Sequence, residues 1–258
     1  MKEIAGARIV ENVAVARGTR WLVLETDEDP EQAYAPGHIV ALYAPNPAGK
    51  WVRHPYTVSW AEGRRLGILY RVIHGGRTTP FMELMGPGET LRIGGRFGEP
   101  IAALVEPAAS RVIGVTTGTG IGPLHGYATR ALAEGERRPI ALIAGFREEA
   151  DIPLRASLDA LAAAHPGFTW RPTLSRPAPD WTGGVGRVTD ALASVATAGA
   201  HWHLVGNGGM VTDVHAALLA VGVLPTAITT EAYHNRGTTA DAAVVDALAQ
   251  ALTDALAT

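Results

Sequence analysis

The sequence predicts two domains of different fold class: an N-terminal six-stranded antiparallel β-barrel and a C-terminal α/β domain with a five-stranded parallel sheet. The length supports two domains, because 258 residues exceed the roughly 150 residues of a typical single domain. Short, often alternating apolar runs separated by turn residues fill the first part of the chain, as in antiparallel sheets. From residue 111 short apolar runs alternate with helical stretches, which is the βαβ pattern of a parallel sheet.

Six apolar runs are the candidate strands of the barrel domain, which we expect to span residues 1–104. Glycine and proline separate the runs, most clearly at Gly75-Gly76 and Gly86-Pro87-Gly88. The six runs are Ala7–Val15, Trp21–Thr26, His38–Ala44, Tyr56–Ser59, Leu66–Val72 and Thr90–Ile93.

The α/β domain is expected over residues 110–235, after a junction at Glu106–Ser110. Alternation of strands and helices places helices on both faces of the sheet. The candidate strands are Val112–Thr117, Ile140–Gly145, Phe168–Leu174, His203–Gly206 and Ile228–Tyr233. The candidate helices are Pro123–Ala133, Pro153–Ala164, Thr189–Ala196 and Met210–Val221.

A C-terminal helical extension is predicted for residues 236–258. A helix over Thr239–Ala257 is preceded by Thr238 and Asp241, which fit a capping box. Its apolar residues recur at every fourth position and form one face: Val244, Leu248, Leu252 and Leu256. This face is expected to pack on its own domain or on a second subunit, and the absence of Lys, Arg and Trp argues against a membrane anchor.

The composition excludes several function classes. The chain has no cysteine, which excludes disulfides and thiolate-held zinc or iron–sulfur centres, so any redox role requires a bound organic cofactor. A net charge of −3 argues against nucleic-acid binding. No apolar run reaches the ~18 residues of a membrane span, and the N-terminus lacks a secretory signal, so we expect a cytoplasmic protein.

The sharpest local motif is the run Thr116–Pro123 (TTGTGIGP), which follows the first strand of the α/β domain and opens a helix. Glycines there let a phosphate approach the backbone, and the helix N-terminus attracts the anion. The run is not the G-x-G-x-x-G dinucleotide motif, and alone it is equally compatible with a purely structural tight turn.

A second motif is Arg53–Val58 (RHPYTV) in the barrel region. A tyrosine ring can stack on a flat heterocycle, the next hydroxyl can bond to a ring edge, and nearby cations can hold a pyrophosphate. Alone, the run is more typical of an edge strand with surface charges than of a cofactor site.

Together these motifs resemble the ferredoxin–NADP reductase family, in matching order over about residues 5 to 235. The family pairs a flavin-binding antiparallel barrel with a nicotinamide-nucleotide-binding α/β domain. The matches are His54-Pro55-Tyr56-Thr57 with R-x-Y-[ST], Gly76-Arg77-Thr78-Thr79 with G-x-x-[ST], Pro87-Gly88-Glu89-Thr90 with the turn that follows, Gly118–Pro123 with G-T-G-I-A-P, Val205–Met210 with C-G-[NP]-x-x-M, and Glu231-Ala232-Tyr233 with E-x-[aromatic].

The resemblance implies FAD, rather than FMN, and a nicotinamide nucleotide as the cofactors. It gives catalytic roles to Thr57, which bonds near the reactive flavin nitrogen, to Glu231, which seats the nicotinamide, and to Tyr233, which covers the flavin until nicotinamide displaces it. The residues implied at the flavin are Arg53, His54, Pro55, Tyr56, Thr57, Arg71, Val72, Ile73, Gly75, Gly76, Arg77, Thr78 and Thr79. Those implied at the nucleotide are Thr117, Gly118, Thr119, Gly120, Arg147, Ser175, Arg176, Asn207, Gly208, Met210 and Tyr233.

Three positions depart from the family pattern. His54 stands in place of arginine, so Arg53 or Arg77 could take over the phosphate contact. Val205 stands in place of cysteine, which we expect to tune rates rather than abolish reduction. Residues continue past Tyr233, which is the terminal aromatic in many members, so its stacking role is open.

The choice between NADPH and NADH depends on the loops after the second and third strands of the α/β domain. Arg147, with Ser175-Arg176, resembles the pair that binds the 2′-phosphate in NADPH-using relatives, and the planar guanidinium suits phosphate. The run Trp181–Val188 resembles a stretch that is also found in NADH-using oxygenase reductases. NADP(H) is therefore expected, with NAD(H) as the alternative.

The resemblance implies hydride transfer from NADPH to FAD and electron transfer to ferredoxin or flavodoxin on another chain. The alternatives are an NADH-using reductase component of an oxygenase, a free-flavin or quinone reductase, or, in another class, a non-catalytic flavin- or nucleotide-binding subunit. No metal is expected, because His201 and His203 lack a third ligand at suitable spacing. An oligomer could form through the C-terminal helix.

Overall fold

The structure is a computed structural model that describes residues 4–27, 34–46, 48–235 and 237–257. The chain forms two compact units. The first comprises residues up to 103 together with 122–127, and the second comprises residues 104–121 together with those from 128 onward. Each unit contains one sheet with its own buried core.

The first unit is a curled antiparallel sheet of seven strands in the order β4-β3-β7-β1-β2-β6-β5. The strands are β1 (Ile4–Ala16), β2 (Thr19–Thr26), β3 (Ile39–Pro45), β4 (Trp51–Thr57), β5 (Trp60–Glu62), β6 (Arg65–Arg71) and β7 (Thr90–Phe97). Two short helices, α1 (Thr79–Leu84) and α2 (Ile101–Leu104), follow β6 and β7. Leucine and isoleucine side chains from its strands, such as Leu24, Ile68 and Ile93, are buried in its core.

The barrel prediction is confirmed as a fold class, but two details of the sheet differ. The predicted six strands become seven because Trp60–Glu62 is a three-residue strand, too short to form an apolar run. The predicted strand Tyr56–Ser59 begins earlier, at Trp51, and ends at Thr57. Pro55 interrupts the strand pattern in the sequence, so the pattern does not predict the residues before it as strand. Proline is tolerated at this position because β4 lies at the edge of the sheet.

The second unit is a parallel sheet of six strands in the order β11-β10-β9-β8-β12-β13. Its strands are β8 (Arg111–Thr117), β9 (Ile140–Phe146), β10 (Phe168–Leu174), β11 (Gly184–Val185), β12 (Ala200–Asn207) and β13 (Ile228–His234). Its helices are α3 (Ile121–Ala133), α4 (Arg155–Ala164), α5 (Gly208–Ala220) and α6 (Ala242–Leu256), with α3 shared between the units.

The α/β prediction is likewise confirmed, with one extra two-residue strand, β11, at the sheet edge. The predicted helix Thr189–Ala196 is a 3₁₀ helix over Val188–Ser194. Strand order reverses between β8 and β12, so the chain leaves these neighbouring strands in opposite directions. Ligands of open α/β sheets bind beyond the carboxyl ends of the strands at such a switch point.

The C-terminal helix α6 packs within the second unit. Leu248 and Leu252 are buried in the same hydrophobic cluster as Val214 and Leu218 of α5. The predicted capping box is wrong, since Asp241 is itself the N-cap and accepts from the first N–H groups of α6. No helix among the described residues is long and apolar enough to span a bilayer.

Candidate functional site

Strand β4 presents its predicted flavin residues on two faces, because side chains alternate along a strand. His54 and Tyr56 share one face. Arg53, on the other face, stacks over the ring of Phe97, with its guanidinium carbon 5.8 Å from the ring centroid. Arg53 and His54 are therefore separated by the strand, although they are adjacent in sequence.

Tyr56 is packed into the first unit. Its ring meets Tyr70 edge-on at 6.5 Å between centroids, and its hydroxyl lies 3.5 Å from the Sδ of Met82. Burial raises the pKa of Tyr56 to about 12, while a hydrogen bond with Thr78 opposes that rise. Tyr56 is thus a neutral, oriented aromatic ring at every physiological pH.

His54 supplies a buried polar atom beside a cation. Its Nε2 is buried and forms no hydrogen bond with any described residue. Burial lowers the pKa of His54, and the charge of Arg77 lowers it further. Since a buried polar atom is costly unless it is paired, the site fits a bound group that offers a hydrogen-bond partner and an anion for Arg77.

The turn before α1 has a backbone that only glycine allows at two positions. Gly75 has a left-handed φ of +75°, and a Cβ on Gly76 would lie 2.7 Å from the carbonyl oxygen of Ile73. The hydroxyl of Thr79 accepts from the N–H of Ile73 at 2.9 Å. Arg71 and Ile73 are exposed and Val72 is buried.

The structure therefore brings together four of the predicted flavin residues: His54, Tyr56, Arg77 and Thr78. An uncharged aromatic ring, an orphaned imidazole nitrogen, a guanidinium and a glycine turn make a site that fits FAD, whose ring and pyrophosphate need such partners.

The glycine turn after β8 lies at the switch point of the second unit. Gly118 has a φ of +58°, and a 3₁₀ turn over Gly118–Gly120 leads directly into the 13-residue helix α3, whose N-terminus has no side-chain cap. A Cβ on Gly120 would lie 2.4 Å from the Oγ1 of Thr116 and 2.9 Å from the Cγ1 of Val205. Any larger residue would push the turn out of place.

The carboxyl end of β12 packs against the carboxyl end of β8, directly before the glycine turn. Gly206 has a φ of +131°, and a Cβ there would lie 2.4 Å from the Oγ1 of Thr117. The same Oγ1 accepts from the N–H of Asn207 at 2.9 Å. The ends of β8 and β12 are thus joined by a side chain that sequence reasoning had placed at the nucleotide.

Packing explains why residue 122 is glycine, although the family motif has alanine there. It belongs to the part of α3 that lies in the first unit. A Cβ at residue 122 would lie 2.4 Å from the Oγ of Ser59 and 2.9 Å from the Cβ of Leu69. Alanine would therefore overlap with Ser59 and with Leu69 of β6.

The predicted nucleotide residues at the start of α5 make contacts within the protein. The Oδ1 of Asn207 accepts from the N–H groups of Gly209 and Met210, at 2.9 and 3.4 Å, and so caps the helix. Gly208 and Met210 are buried. A Cβ on Gly208 would lie 2.1 Å from the carbonyl oxygen of Asn235, a contact that sequence reasoning missed.

The predicted catalytic residues lie in both units. Thr57 is buried in the first. In the second unit, Glu231 of β13 pairs in register with Val205 of β12. Glu231 and Tyr233 are both half-buried. Val205, in the family's cysteine position, is fully buried.

The three predicted phosphate residues lie on two loops that are hydrogen-bonded to each other. The N–H of Arg176 donates to the carbonyl of Arg147 at 2.8 Å, and the N–H of Ser175 donates to the carbonyl of Phe146 at 3.1 Å. Both arginines are exposed, and neither forms an ion pair with another described residue. Two available guanidinium groups therefore flank the ends of β9 and β10.

The paired histidines form a buried hydrogen-bond network with one hydroxyl. His201 and His203 lie 3.1 and 2.6 Å from the Oγ1 of Thr229, and the N–H of Glu106 donates to the Nδ1 of His201. Burial lowers the pKa of His203 to about 4, with the nearby His201 as a smaller cause. No group of three or more metal-ligating side chains occurs within the described ranges.

Comparison with known proteins identifies relatives over both units. The model of the oxidoreductase NAD-binding domain matches residues 115–216. Ferredoxin–NADP reductase B of Sorangium cellulosum is 30% identical over 184 residues, which is 70% of this chain and 74% of the relative. The reductase subunit of an aromatic O-demethylase from Amycolatopsis is 29% identical over 202 residues, which is 76% of this chain but 58% of the relative.

Solved structures share the architecture. A cytochrome P450 reductase from Amycolatopsis superposes with a TM-score of 0.78 at 28% identity, over 90% of this chain and 70% of that one. A ferredoxin NADP⁺ reductase from Neisseria gonorrhoeae, solved with FAD and NADP, gives a TM-score of 0.77 at 17% identity. The match covers 91% of this chain and 100% of that one. At that identity the second likeness supports the fold alone.

Proposed function

This chain belongs to the ferredoxin–NADP reductase family of FAD- and NAD(P)-binding oxidoreductases, and from that premise we propose that it transfers a hydride from NADPH to FAD and delivers the electrons to ferredoxin or flavodoxin. The relatives of the chain include reductases with other partners, so the nucleotide and the electron acceptor are the specific content of the proposal.

The observation that carries the proposal is the arrangement at the carboxyl edge of the parallel sheet. A glycine turn opens an uncapped helix at the switch point, and two exposed arginines flank the neighbouring strand ends. The turn over Gly118–Gly120 attracts the pyrophosphate. Arg147, Ser175 and Arg176 hold the 2′-phosphate that distinguishes NADPH from NADH, because guanidinium groups bind phosphate bidentately.

In the first unit, the proposed flavin contacts follow from the cluster around β4. Tyr56 supplies an aromatic surface for the isoalloxazine, and Thr57 supplies a hydroxyl for its reactive edge. Arg77 and the backbone of Gly76–Thr79 neutralise the pyrophosphate, with His54 as a hydrogen-bonding neighbour. Bound FAD supplies the chemistry that the side chains lack, since it accepts two electrons as a hydride and releases them one at a time.

The side chains bind, orient and protonate. Hydride transfer requires donor and acceptor atoms within about 3–3.5 Å, so the main contribution of the protein is positioning. Glu231 seats the nicotinamide carboxamide and relays a proton between the site and solvent. Val205 gives a dry, apolar wall where a thiol stands in the family motif.

The second candidate function is that of an NADH-using reductase component of an oxygenase. The match to the reductase subunit of an aromatic O-demethylase favours it. The two candidates differ in nucleotide and in acceptor, so one anaerobic experiment separates them.

The test is to purify the protein, record the flavin absorbance at about 450 nm, and add each nucleotide without oxygen. Rapid bleaching by NADPH, and slow bleaching by NADH, supports the proposal. Bleaching by NADH alone would remove the assignment of Arg147, Ser175 and Arg176. A bound flavin that neither nucleotide reduces would leave only a non-catalytic binding role.

A further inference from the structure

Asn12 is a buried polar residue in the middle of β1, and an irregularity in the strand turns it inward. Ala7 and Ile9 lie in the core of the first unit, so strict alternation along β1 would turn Glu11 inward as well. The pairing of β1 with β2 shifts its register between Ile9 and Glu11, as it does at a β-bulge. Beyond this shift the alternation is reversed, so Asn12 is only 8% exposed and Glu11 lies at the surface.

The amide of Asn12 uses both of its donor positions and accepts two hydrogen bonds. Its Nδ2 donates to the carbonyl oxygens of Met82 and Met85, at 2.7 and 2.8 Å. Its Oδ1 accepts from the Nε of Arg20 and from the hydroxyl of Tyr70, both at 3.1 Å. Because a guanidinium only donates and a carbonyl only accepts, the oxygen and nitrogen of the amide have one possible orientation. Asn12 is therefore fully paired and fixed in place.

The two donated bonds hold the end of α1. Met82 lies within this six-residue helix, and Met85 is its C-cap. The last carbonyl groups of a helix have no partner inside the helix, and a helix this short is not stable alone. Asn12 supplies two of the missing partners. Because α1 begins directly after the turn that we assign to the flavin pyrophosphate, Gly76–Thr79, Asn12 holds from its far end the helix that follows this turn.

The accepted bond from Tyr70 acts on the aromatic side of the same site. The ring of Tyr70 meets the ring of Tyr56 edge-on, at 6.5 Å between centroids. The hydroxyl of Tyr56 lies 3.5 Å from the Sδ of Met82. Burial raises the pKa of Tyr70 to about 12, so its hydroxyl keeps the proton that it donates to Asn12. Tyr56 therefore contacts two residues that Asn12 holds.

We propose that Asn12 is a positioning residue for FAD, which holds α1 and Tyr70 in the arrangement that the flavin needs. The inference rests on the proposed function, in which Tyr56 and the turn Gly76–Thr79 contact FAD. Asn12 acts only through these neighbours. If the arrangement is no longer preset, the apparent affinity for FAD falls by the fraction of molecules that remain competent to bind it.

Two variants and a matched control separate this role from general stability. Asn12→Asp keeps the oxygen that accepts from Arg20 and Tyr70, but it replaces the donating amide nitrogen with a second oxygen that faces two carbonyl groups. Tyr70→Phe removes one hydroxyl and is the milder change. Asn46→Asp makes the same chemical change in the same unit, at a side chain that only accepts, from two backbone N–H groups of its own turn.

The experiment is to measure FAD release from the full-chain holoprotein on dilution, by the rise in flavin fluorescence. We expect Asn12→Asp to raise the Kd of FAD about tenfold and Tyr70→Phe to raise it about fivefold, with Asn46→Asp equal to the parent. Hydrogen exchange of residues 79–85 should rise in Asn12→Asp and not in Asn46→Asp. With FAD in excess, the Kd of NADP⁺ should be the same in all four proteins, because its proposed contacts lie in the second unit.

Three results overturn the inference by itself. The first is that hydrogen exchange of residues 79–85 rises in Asn12→Asp while the Kd of FAD does not. The second is that exchange in these residues does not respond. The third is that the affinities for FAD and NADP⁺ fall by the same factor, as a general loss of folding would cause.

If Asn12→Asp does not fold, Tyr70→Phe decides the matter, and an unchanged Kd of FAD in that variant overturns the inference. If the parent protein binds no FAD, the proposed function falls and the inference falls with it.

Discussion

Replacing Arg176 with alanine tests the proposed choice of NADPH. Arg176 is exposed and forms no ion pair with another described residue, so its side chain can be removed without breaking a contact that stabilises the fold. Its link to Arg147 runs through the backbone and survives the substitution. Any change in nucleotide kinetics can therefore be assigned to the lost guanidinium.

The expected magnitude follows from that exposure. A hydrogen bond to a charged group contributes about 1.5–3 kcal/mol. Because the site is open to solvent and Arg147 remains on the adjoining loop, the lower value applies, and about 1.5 kcal/mol corresponds to a roughly tenfold rise in the KM for NADPH. NADH lacks the 2′-phosphate, so its KM should change by less than about twofold.

The assay is steady-state reduction of an artificial acceptor with each nucleotide. Arg171→Ala is the matched control, because Arg171 is also exposed but lies within β10, before the carboxyl end of that strand, whereas Arg176 lies in the loop after it. It removes the same charge and should change neither KM. The reasoning is refuted if Arg176→Ala raises the KM for both nucleotides by the same factor, or if Arg171→Ala has an equal effect.

Two further predictions concern stability. Gly122→Ala should cost about 1–3 kcal/mol in the free energy of unfolding, since its Cβ would overlap with Ser59 and Leu69, while Gly167→Ala, where nothing lies within 4 Å, should cost far less in the same thermal-unfolding assay. His203 has a pKa lowered to about 4 from the ordinary 6.5, so the unfolded chain binds the extra proton and stability falls as pH drops through this window. Between pH 7 and 5 the free energy of unfolding should fall by about 2 kcal/mol for this reason. Urea titrations at the two pH values should show a smaller fall in His203→Leu. An equal fall in both proteins would contradict the role of His203.

The elements that could be predicted are those whose own residues carry the pattern. Strand β9 is apolar along its whole length and almost entirely buried, so the predicted run Ile140–Gly145 locates the observed strand Ile140–Phe146 to within one residue. The edge strands could not be predicted as well. Strand β11 has two residues, and β4 contains a proline that only its edge position permits.

The same limit applies to the candidate site. The glycine turn after β8 is visible in sequence, because the glycines and the helix start are adjacent. The contact of Gly208 with Asn235 is not visible, since the two residues are far apart in the chain and neither belongs to a periodic pattern. A sequence motif also cannot show whether Asn207 faces a ligand or caps its own helix.

That last distinction decides where the charge of the nucleotide belongs. Two helices, α3 and α5, begin at the switch point, and each N-terminus carries partial positive charge from its first N–H groups. Asn207 satisfies two of those groups on α5, and the carbonyl oxygens of His234 and Asn235 lie against Gly208, so that end offers little to an anion. The N-terminus of α3 has no side-chain cap, and a left-handed glycine precedes it. The pyrophosphate is therefore expected at α3.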